Sequence, residues 1–452
     1  MRARRAALDV LAAVRRRDAY ANLVLPSVLA ARGLHGPEAA RATDLAYGTL
    51  RGLGTFDRII EACSSRPVRR IDPSALDVLR LGVYQMLLTR TPVHAAVSTS
   101  VDLVREQSSA RATGFVNAVL RASASRSLDG WAERLTAPGT IDALAFRHLH
   151  PAWVVEAFAD ALGDDRERVV DVLVADNLPP AVSLIAVPGR ATVAELVEAG
   201  ATRGRWAPTA AVLEAGGDPR RVPAIAQGRA RVQDEGSQLV ALALTRAQVS
   251  PDVAARPWLD VCAGPGGKAT LLAGVADSQG SVVLAAEKHA HRARLVARSV
   301  HGAGLVAAAA VVQADGRSGP WPPRAFGRVL LDAPCTGIGA LRRRPESRWR
   351  RRPADLDQLV PLQRALLEAS LDAVVDGGVL AYVTCSPHVE ETVAVVEHVL
   401  SRRSDVHVEP AVQLVPDVPS SDRGPYVQLW PDLHGTDAMF LAVLRRRIGT
   451  HA

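Results

Sequence analysis

The chain has 452 residues, so at about 150 residues per domain it holds roughly three domains. Its apolar content of 48% and charged content of 22% are those of chains that bury full-sized cores, which excludes a wholly disordered protein. Lysine and arginine number 54 against 47 aspartates and glutamates, a formal charge of +7 that favours an anionic partner, and no run approaches the ~18 apolar residues of a membrane span.

Arg2, Arg4 and Arg5 look like the start of a secretory signal, but Asp9 and Arg15, Arg16 and Arg17 interrupt the apolar stretch that should follow, so no signal peptide is expected. Four cysteines, Cys63, Cys262, Cys335 and Cys385, stand far apart with no CxxC pair. That spacing points away from a metal site or a disulfide framework and toward a reducing cytoplasm. Helical patterns run over residues 6–14, 39–50 and 97–104. Another helix opens at Asp72-Pro73, an acidic cap followed by proline at the first helical position, and carries Leu76, Leu79, Val83 and Leu87 until Thr91-Pro92 stops it. With no convincing strand among them, residues 1–125 read as an all-α domain, closed by the serine-rich stretch 123–130.

Residues 126–235 read as a linker and a small mixed α/β module, with a helical stretch after His150-Pro151, punctuation at Pro179-Pro180 and a strand near 181–187. From 236 to 452, short β runs at 258–261, 282–286, 309–312, 329–331, 379–383 and 439–444 alternate with helical patterns. This is the rhythm of a doubly wound, mainly parallel α/β sheet, which binds ligands beyond the carboxyl ends of its strands.

Unusual residues fall at those ends. Asp260, Glu287, Asp315 and Asp332 follow or close the first four strands, so four carboxylates should line one rim. The first strand runs into Cys262-Ala263-Gly264-Pro265-Gly266-Gly267-Lys268, where glycines let a ligand approach the backbone and a helix presents its positive end. A phosphate-cradling loop needs glycine where Cys262 stands and Ser or Thr where Ala269 stands. A dinucleotide fingerprint does fit Gly264 to Ala269 with Glu287 beyond it. S-adenosylmethionine is the third candidate, and a rim of carboxylates suits its cationic sulfonium and amino groups better than an anionic cofactor. Glu287 is placed for ribose hydroxyls and Asp315 for the adenine amino group.

Two thiols reach the same rim, in Asp332-Ala333-Pro334-Cys335 after the fourth strand and Thr384-Cys385-Ser386 after the fifth. Carbon 5 of cytosine is too weak a nucleophile to attack a sulfonium methyl, but a thiolate added at carbon 6 makes it one, splitting a hard step in two. A carboxyl such as Asp332 near the ring's polar edge would stabilise that adduct.

These motifs resemble those of the RNA cytosine-5 methyltransferases of the NOL1/NOP2/Sun type, and the helical N-terminus resembles a NusB-type RNA-binding domain. The combination resembles the Sun/RsmB subgroup. The resemblance implies three parts: an N-terminal all-α NusB-like bundle, a small mixed α/β module, and a C-terminal Rossmann-like S-adenosylmethionine methyltransferase domain. It further implies methyl transfer to a cytosine of small-subunit (16S) rRNA, with Cys385 as nucleophile, Cys335 as the residue assisting release, and Asp332 beside them. Cofactor contacts implied are Cys262, Ala263, Gly264, Pro265, Gly266, Gly267, Lys268, Glu287, Asp315 and Asp332, and no metal is called for. Segments 232–238 and 434–437 also resemble family segments. The chain departs from the family's usual pattern in having Gly264 where alanine is usual and Glu287 where aspartate is common.

The run Arg342-Arg343-Arg344, followed by Arg348-Trp349-Arg350, offers guanidinium groups and an indole beside the Cys335 motif. These are the groups that single-stranded RNA recognition uses, and they are expected to face RNA. Two other readings stay open on the sequence: an exocyclic-amino RNA methyltransferase, whose acidic proline-containing motif is similar, and a non-catalytic rRNA-binding assembly factor.

Overall fold

The computed structural model describes residues 1–107, 110–213 and 218–449. They fall into two units, Met1–Leu178 with Leu341–Arg352, and Pro179–Ala340 with the residues from Pro353 onward.

The first unit is helical. Helices Arg2–Arg17, Ala21–Ala31, Gly36–Arg51, Leu53–Cys63, Pro73–Leu88, Val93–Gln107 and Ala110–Ser123 are followed by Leu128–Leu135, Ile141–Arg147, Ala152–Leu162 and Arg166–Asn177. Asp72 caps its helix as the sequence predicts, its carboxylate accepting from the backbone N–H groups of Ser74 and Ala75, each at 3.0 Å. The first helix buries Ala7, Val10, Leu11 and Val14, one face at helical spacing, against a core holding Phe56, Ile59, Ile60 and Leu79.

Trp131, Phe146 and Leu149 belong to that same core, and the Trp131 indole donates to the Ser123 carbonyl at 2.9 Å. The stretch 123–130 is therefore a packed corner within one body. The expected module 126–235 is not one body either, because its helical half packs with the N-terminal helices.

Its second half joins the C-terminal unit as a small antiparallel sheet of β1 (Val182–Ala186), β2 (Thr202–Arg203), β3 (Ala210–Leu213) and β4 (Ala230–Val232), in the order β2-β3-β1-β4. Buried polar groups fasten it there. The Gln238 amide donates to the carbonyls of Leu184 and Gln233, both at 3.1 Å. Arg231 on β4 donates to the Thr270 hydroxyl at 2.8 Å and to the Ser299 hydroxyl at 2.8 Å.

The main sheet holds β5 (Trp258–Asp260), β6 (Val283–Glu287), β7 (Ala309–Gln313), β8 (Phe326–Asp332), β9 (Val374–Thr384), β10 (Val406–Glu409), β11 (Asp422–Arg423), β12 (Tyr426–Gln428) and β13 (Phe440–Arg446). Its order is β11-β12-β13-β9-β8-β5-β6-β7, with β10 also on β13. Strands β5 to β9 pair in parallel, whereas β13 runs antiparallel to β9, so the sheet is mixed. The strand order reverses between β5 and β8, which opens a crevice at their carboxyl ends. Among the described residues no helix is long and apolar enough to cross a membrane.

Candidate active site

Asp260 and Asp332 end the two strands that flank this switch point. The helix Gly267–Ser278 starts from the glycine turn, and no side chain caps its N-terminus. Lys268 lies in its first turn and donates to Asp332 at 2.8 Å. Burial alone would lower the ammonium's proton affinity, but the Asp332 carboxylate more than offsets it and holds Lys268 charged.

Asp260 is fully buried and neither of its oxygens closes a hydrogen bond, although the Cys262 N–H faces the carboxylate. Burial, reinforced by the neighbouring Asp332, pushes its carboxyl up to about 8.

Two close approaches shape the glycine turn. A Cβ on Gly264 would stand 2.2 Å from Glu287 Oε2, and one on Gly266, whose φ is +111°, would stand 2.8 Å from the Ser299 side chain. Glu287 ends β6, accepts the His289 N–H at 2.9 Å and faces Arg292 at 3.4 Å, while Arg292 donates to the Gly264 carbonyl at 2.6 Å. Arg231 reaches the same turn through the Gly266 carbonyl at 3.3 Å. Asp315 sits more openly, held far below the usual carboxylate range by hydrogen bonds first from Arg317 and also from Lys288. The Cys262 thiol is pushed up by burial and serves as packing, touching the apolar core on one side of the sheet.

Cys335 and Cys385 meet as the motifs predict. Their sulfurs lie 3.5 Å apart, and both residues are partly buried, Cys385 resting against the apolar core on one side of the sheet. The hydrogen bond from Cys335 favours a thiolate at Cys385, and Lys268 supports it; the same contact, with burial, drives the Cys335 thiol well upward. Either sulfur can donate in that contact, and Lys268 favours Cys385 as the one that carries the charge.

A buried carboxylate missed by the sequence reading holds the two cysteine loops together. Glu391 accepts the Thr336 N–H at 2.7 Å, the Thr336 hydroxyl, and the Gln363 amide at 3.0 Å. The Thr336 and Ser386 hydroxyls are 3.2 Å apart, and Gln363 also donates to the Pro334 carbonyl at 2.9 Å. The residue after each cysteine is thus tied to the other. The only signal in the sequence was an acid a few positions beyond Thr384-Cys385-Ser386. The two outlying segments also meet, the Asp437 N–H pointing at the Asp234 carboxylate at 3.2 Å.

The arginine run is placed differently from the expectation. Arg348 is wholly buried in the helical unit and donates to the Leu149 carbonyl at 2.9 Å and to Asn177 Oδ1 at 2.8 Å. Trp349 packs on Gly54 and donates its indole N–H to the Arg51 carbonyl at 2.7 Å. Arg350 bonds the carbonyls of Val14 and Ala19 and pairs with Asp18, and Arg342 is buried. The reading of Arg348, Trp349 and Arg350 as RNA contacts is corrected, because their donors close off acceptors inside the fold, and burial places Arg342 in the interior as well. Arg343 is half-buried, and Arg344 is exposed over the Tyr20 ring at 5.1 Å.

A Rossmann-like catalytic unit with a glycine turn, a carboxylate rim and paired thiols, carried on a chain with a NusB-like helical domain, defines the class as a methyltransferase fold. Residues 248–445 match the family described as 16S rRNA methyltransferase RsmB/F, and residues 1–125 match the NusB family. A Mycobacterium tuberculosis protein named only as a candidate methyltransferase, Rv1407, is 50% identical over 449 residues, covering 98% of this chain and 96% of its own. Ribosomal RNA small subunit methyltransferase B of Vibrio cholerae is 31% identical over 413 residues, 89% of this chain and 88% of its own. The crystal structure of PH0851 has the same fold, with a TM-score of 0.79 at 22% identity over 94% of each chain. The chain belongs to the RsmB/F family of 16S rRNA methyltransferases.

Proposed function

We propose that the protein transfers a methyl group from S-adenosylmethionine to carbon 5 of a cytosine in small-subunit rRNA, through a temporary bond between Cys385 Sγ and carbon 6. The observation that carries this reading is the pair of thiols, 3.5 Å apart, beside the Lys268 and Asp332 ion pair at the sheet's switch point.

The rim fits a cationic cofactor: Asp260 is buried with neither oxygen closing a side-chain hydrogen bond, and the Glu287 carboxylate lies against the Gly264 turn. Glu287 would hold the ribose hydroxyls, Asp315 the adenine amino group, and the turn from Cys262 to Lys268 the remainder. When bound, S-adenosylmethionine supplies an electrophilic methyl group.

The chain's own residues do the rest. Cys385 thiolate adds to carbon 6, and the displaced π pair makes carbon 5 nucleophilic. Asp332, fixed by Lys268, stabilises the ring's polar edge during the adduct's lifetime. After methylation, loss of the carbon 5 proton to a base re-forms the double bond and expels Cys385 as a thiolate. The Cys335 thiol receives that sulfur by hydrogen bond, restoring the starting pair. The target base must leave its stack to reach the thiol, so a looped or unassembled rRNA segment is the fitting substrate. Arg344 remains as an RNA phosphate contact, and the NusB-like domain as the RNA-gripping body.

Mass spectrometry of nucleosides from 16S rRNA treated with protein and labelled cofactor tests this. Methyl on carbon 5, lost in Cys385→Ala, is expected; methyl on the exocyclic nitrogen, or full activity in Cys385→Ala, refutes the assignment.

A further inference from the structure

We propose that Glu391 is a positioning residue that decides which of the two thiols is the nucleophile, its buried carboxylate holding Cys335 as a protonated donor so that Cys385 is left as the thiolate. This rests on the covalent reading above.

Three facts of geometry carry it. Each described contact of the Glu391 carboxylate comes from a donor, Thr336 N–H, Thr336 O–H or Gln363 N–H. The first two donors belong to the residue next to Cys335, which places the carboxylate against that loop. Ser386 links the same network to Cys385, so the two sulfurs are held in one register.

Lys268, which favours the thiolate at Cys385, biases the pair in the same direction. Asp332 raises both, and at Cys385 the favourable Lys268 is opposed by Asp437. Glu391 adds its repulsion at Cys335, against the thiolate form there. A neutral residue of the same shape would keep much of the packing and remove the bias.

The test is iodoacetamide labelling of the full-length protein from pH 6 to 10, with each cysteine followed by peptide mass spectrometry. In the wild type Cys385 is expected to label at lower pH than Cys335. In Glu391→Gln the Cys335 profile should move down by about one pH unit, roughly tenfold more Cys335 thiolate at a given pH, and Glu391→Asp should restore most of the wild-type order. An unmoved Cys335 profile in a folded Glu391→Gln protein overturns the proposal. Should that variant not fold, wild-type Cys335 labelling at or below the pH of Cys385 overturns it equally. The readout needs neither RNA nor methyl transfer, so active Cys385→Ala would refute the reaction while leaving the effect of Glu391 to be judged by labelling alone.

Discussion

At the scale of single residues, Asp260 makes a pH-dependent prediction. Its carboxyl is raised to about 8, whereas an unfolded aspartate titrates near 3.9. Between these values the folded protein binds the extra proton, so this group's contribution to stability falls as pH rises across that window. A cationic ligand favours the ionised form. Affinity for S-adenosylmethionine is therefore expected to climb with pH and level off above about 8, with proton release on binding, and to lose that slope in Asp260→Asn. Calorimetric titration between pH 6.5 and 9 measures it; a flat wild-type profile would contradict the role given to Asp260.

Gly264 and Glu287 stood out in the sequence as separate departures from a familiar pattern. The structure makes them one feature, because the longer carboxylate fills the space where an alanine methyl would lie. Overpacking of this kind costs about 1–3 kcal/mol. Gly264→Ala should lose stability and cofactor affinity, and adding Glu287→Asp should recover much of both. Additive losses in the double-mutant cycle would show that the two positions are independent. Their contact was illegible because they sit on different strand ends, and periodicity does not report which side chain leans on which.

At the scale of elements, the arginine run shows how composition misleads. Guanidinium groups beside a catalytic motif suggest RNA, but the same groups are the side chains best able to close several carbonyls at once inside a fold. Burial pushes Arg348 down to about 9, the mark of a cation spent on structure. Arg348→Met should destabilise the protein by about 3 kcal/mol, since the Leu149 carbonyl and Asn177 side chain lose their donor in a dry site. Arg344→Ala should instead weaken RNA binding with the melting temperature unchanged. Thermal denaturation and RNA titration of both variants separate the roles, and the reverse pattern would restore the original reading.

Long periodic elements were legible, including the helix Pro73–Leu88 and the parallel strands β5 to β9. The helix Ala21–Ala31 was not, because Pro26 interrupts it and Leu23 faces outward, blurring any apolar stripe. Two- to four-residue strands such as β10, β11 and β12 carry too few positions to show alternation. Strand direction is likewise absent from a hydrophobic pattern, so the antiparallel β13 emerged only from the register.

For the whole molecule, linear boundaries fail because the helical unit is discontinuous in sequence. The chain leaves the catalytic unit after Ala340, contributes Leu341–Arg352 to the helical unit, and returns at Pro353. Without residues 1–178, this segment has no partners for Arg348, Trp349 or Arg350. A chain starting at Pro179 is expected to be cleaved by trypsin within 341–352 far faster than the full-length protein. Equal protection in both would show that the segment does not depend on the helical unit. The catalytic site was far more legible, because its chemistry is concentrated in short motifs at strand ends. Glu391, Gln363 and Arg231, which hold those motifs in place, carry no motif of their own.

The central claim is a covalent bond between Cys385 and carbon 6 of the target cytosine. Cys335→Ala protein incubated with S-adenosylmethionine and a 16S rRNA fragment should accumulate a protein-RNA adduct resistant to denaturant, and peptide mapping should place the nucleotide on Cys385. A methylated product formed with no adduct at Cys385, or an adduct that persists in Cys335→Ala/Cys385→Ala, would contradict it.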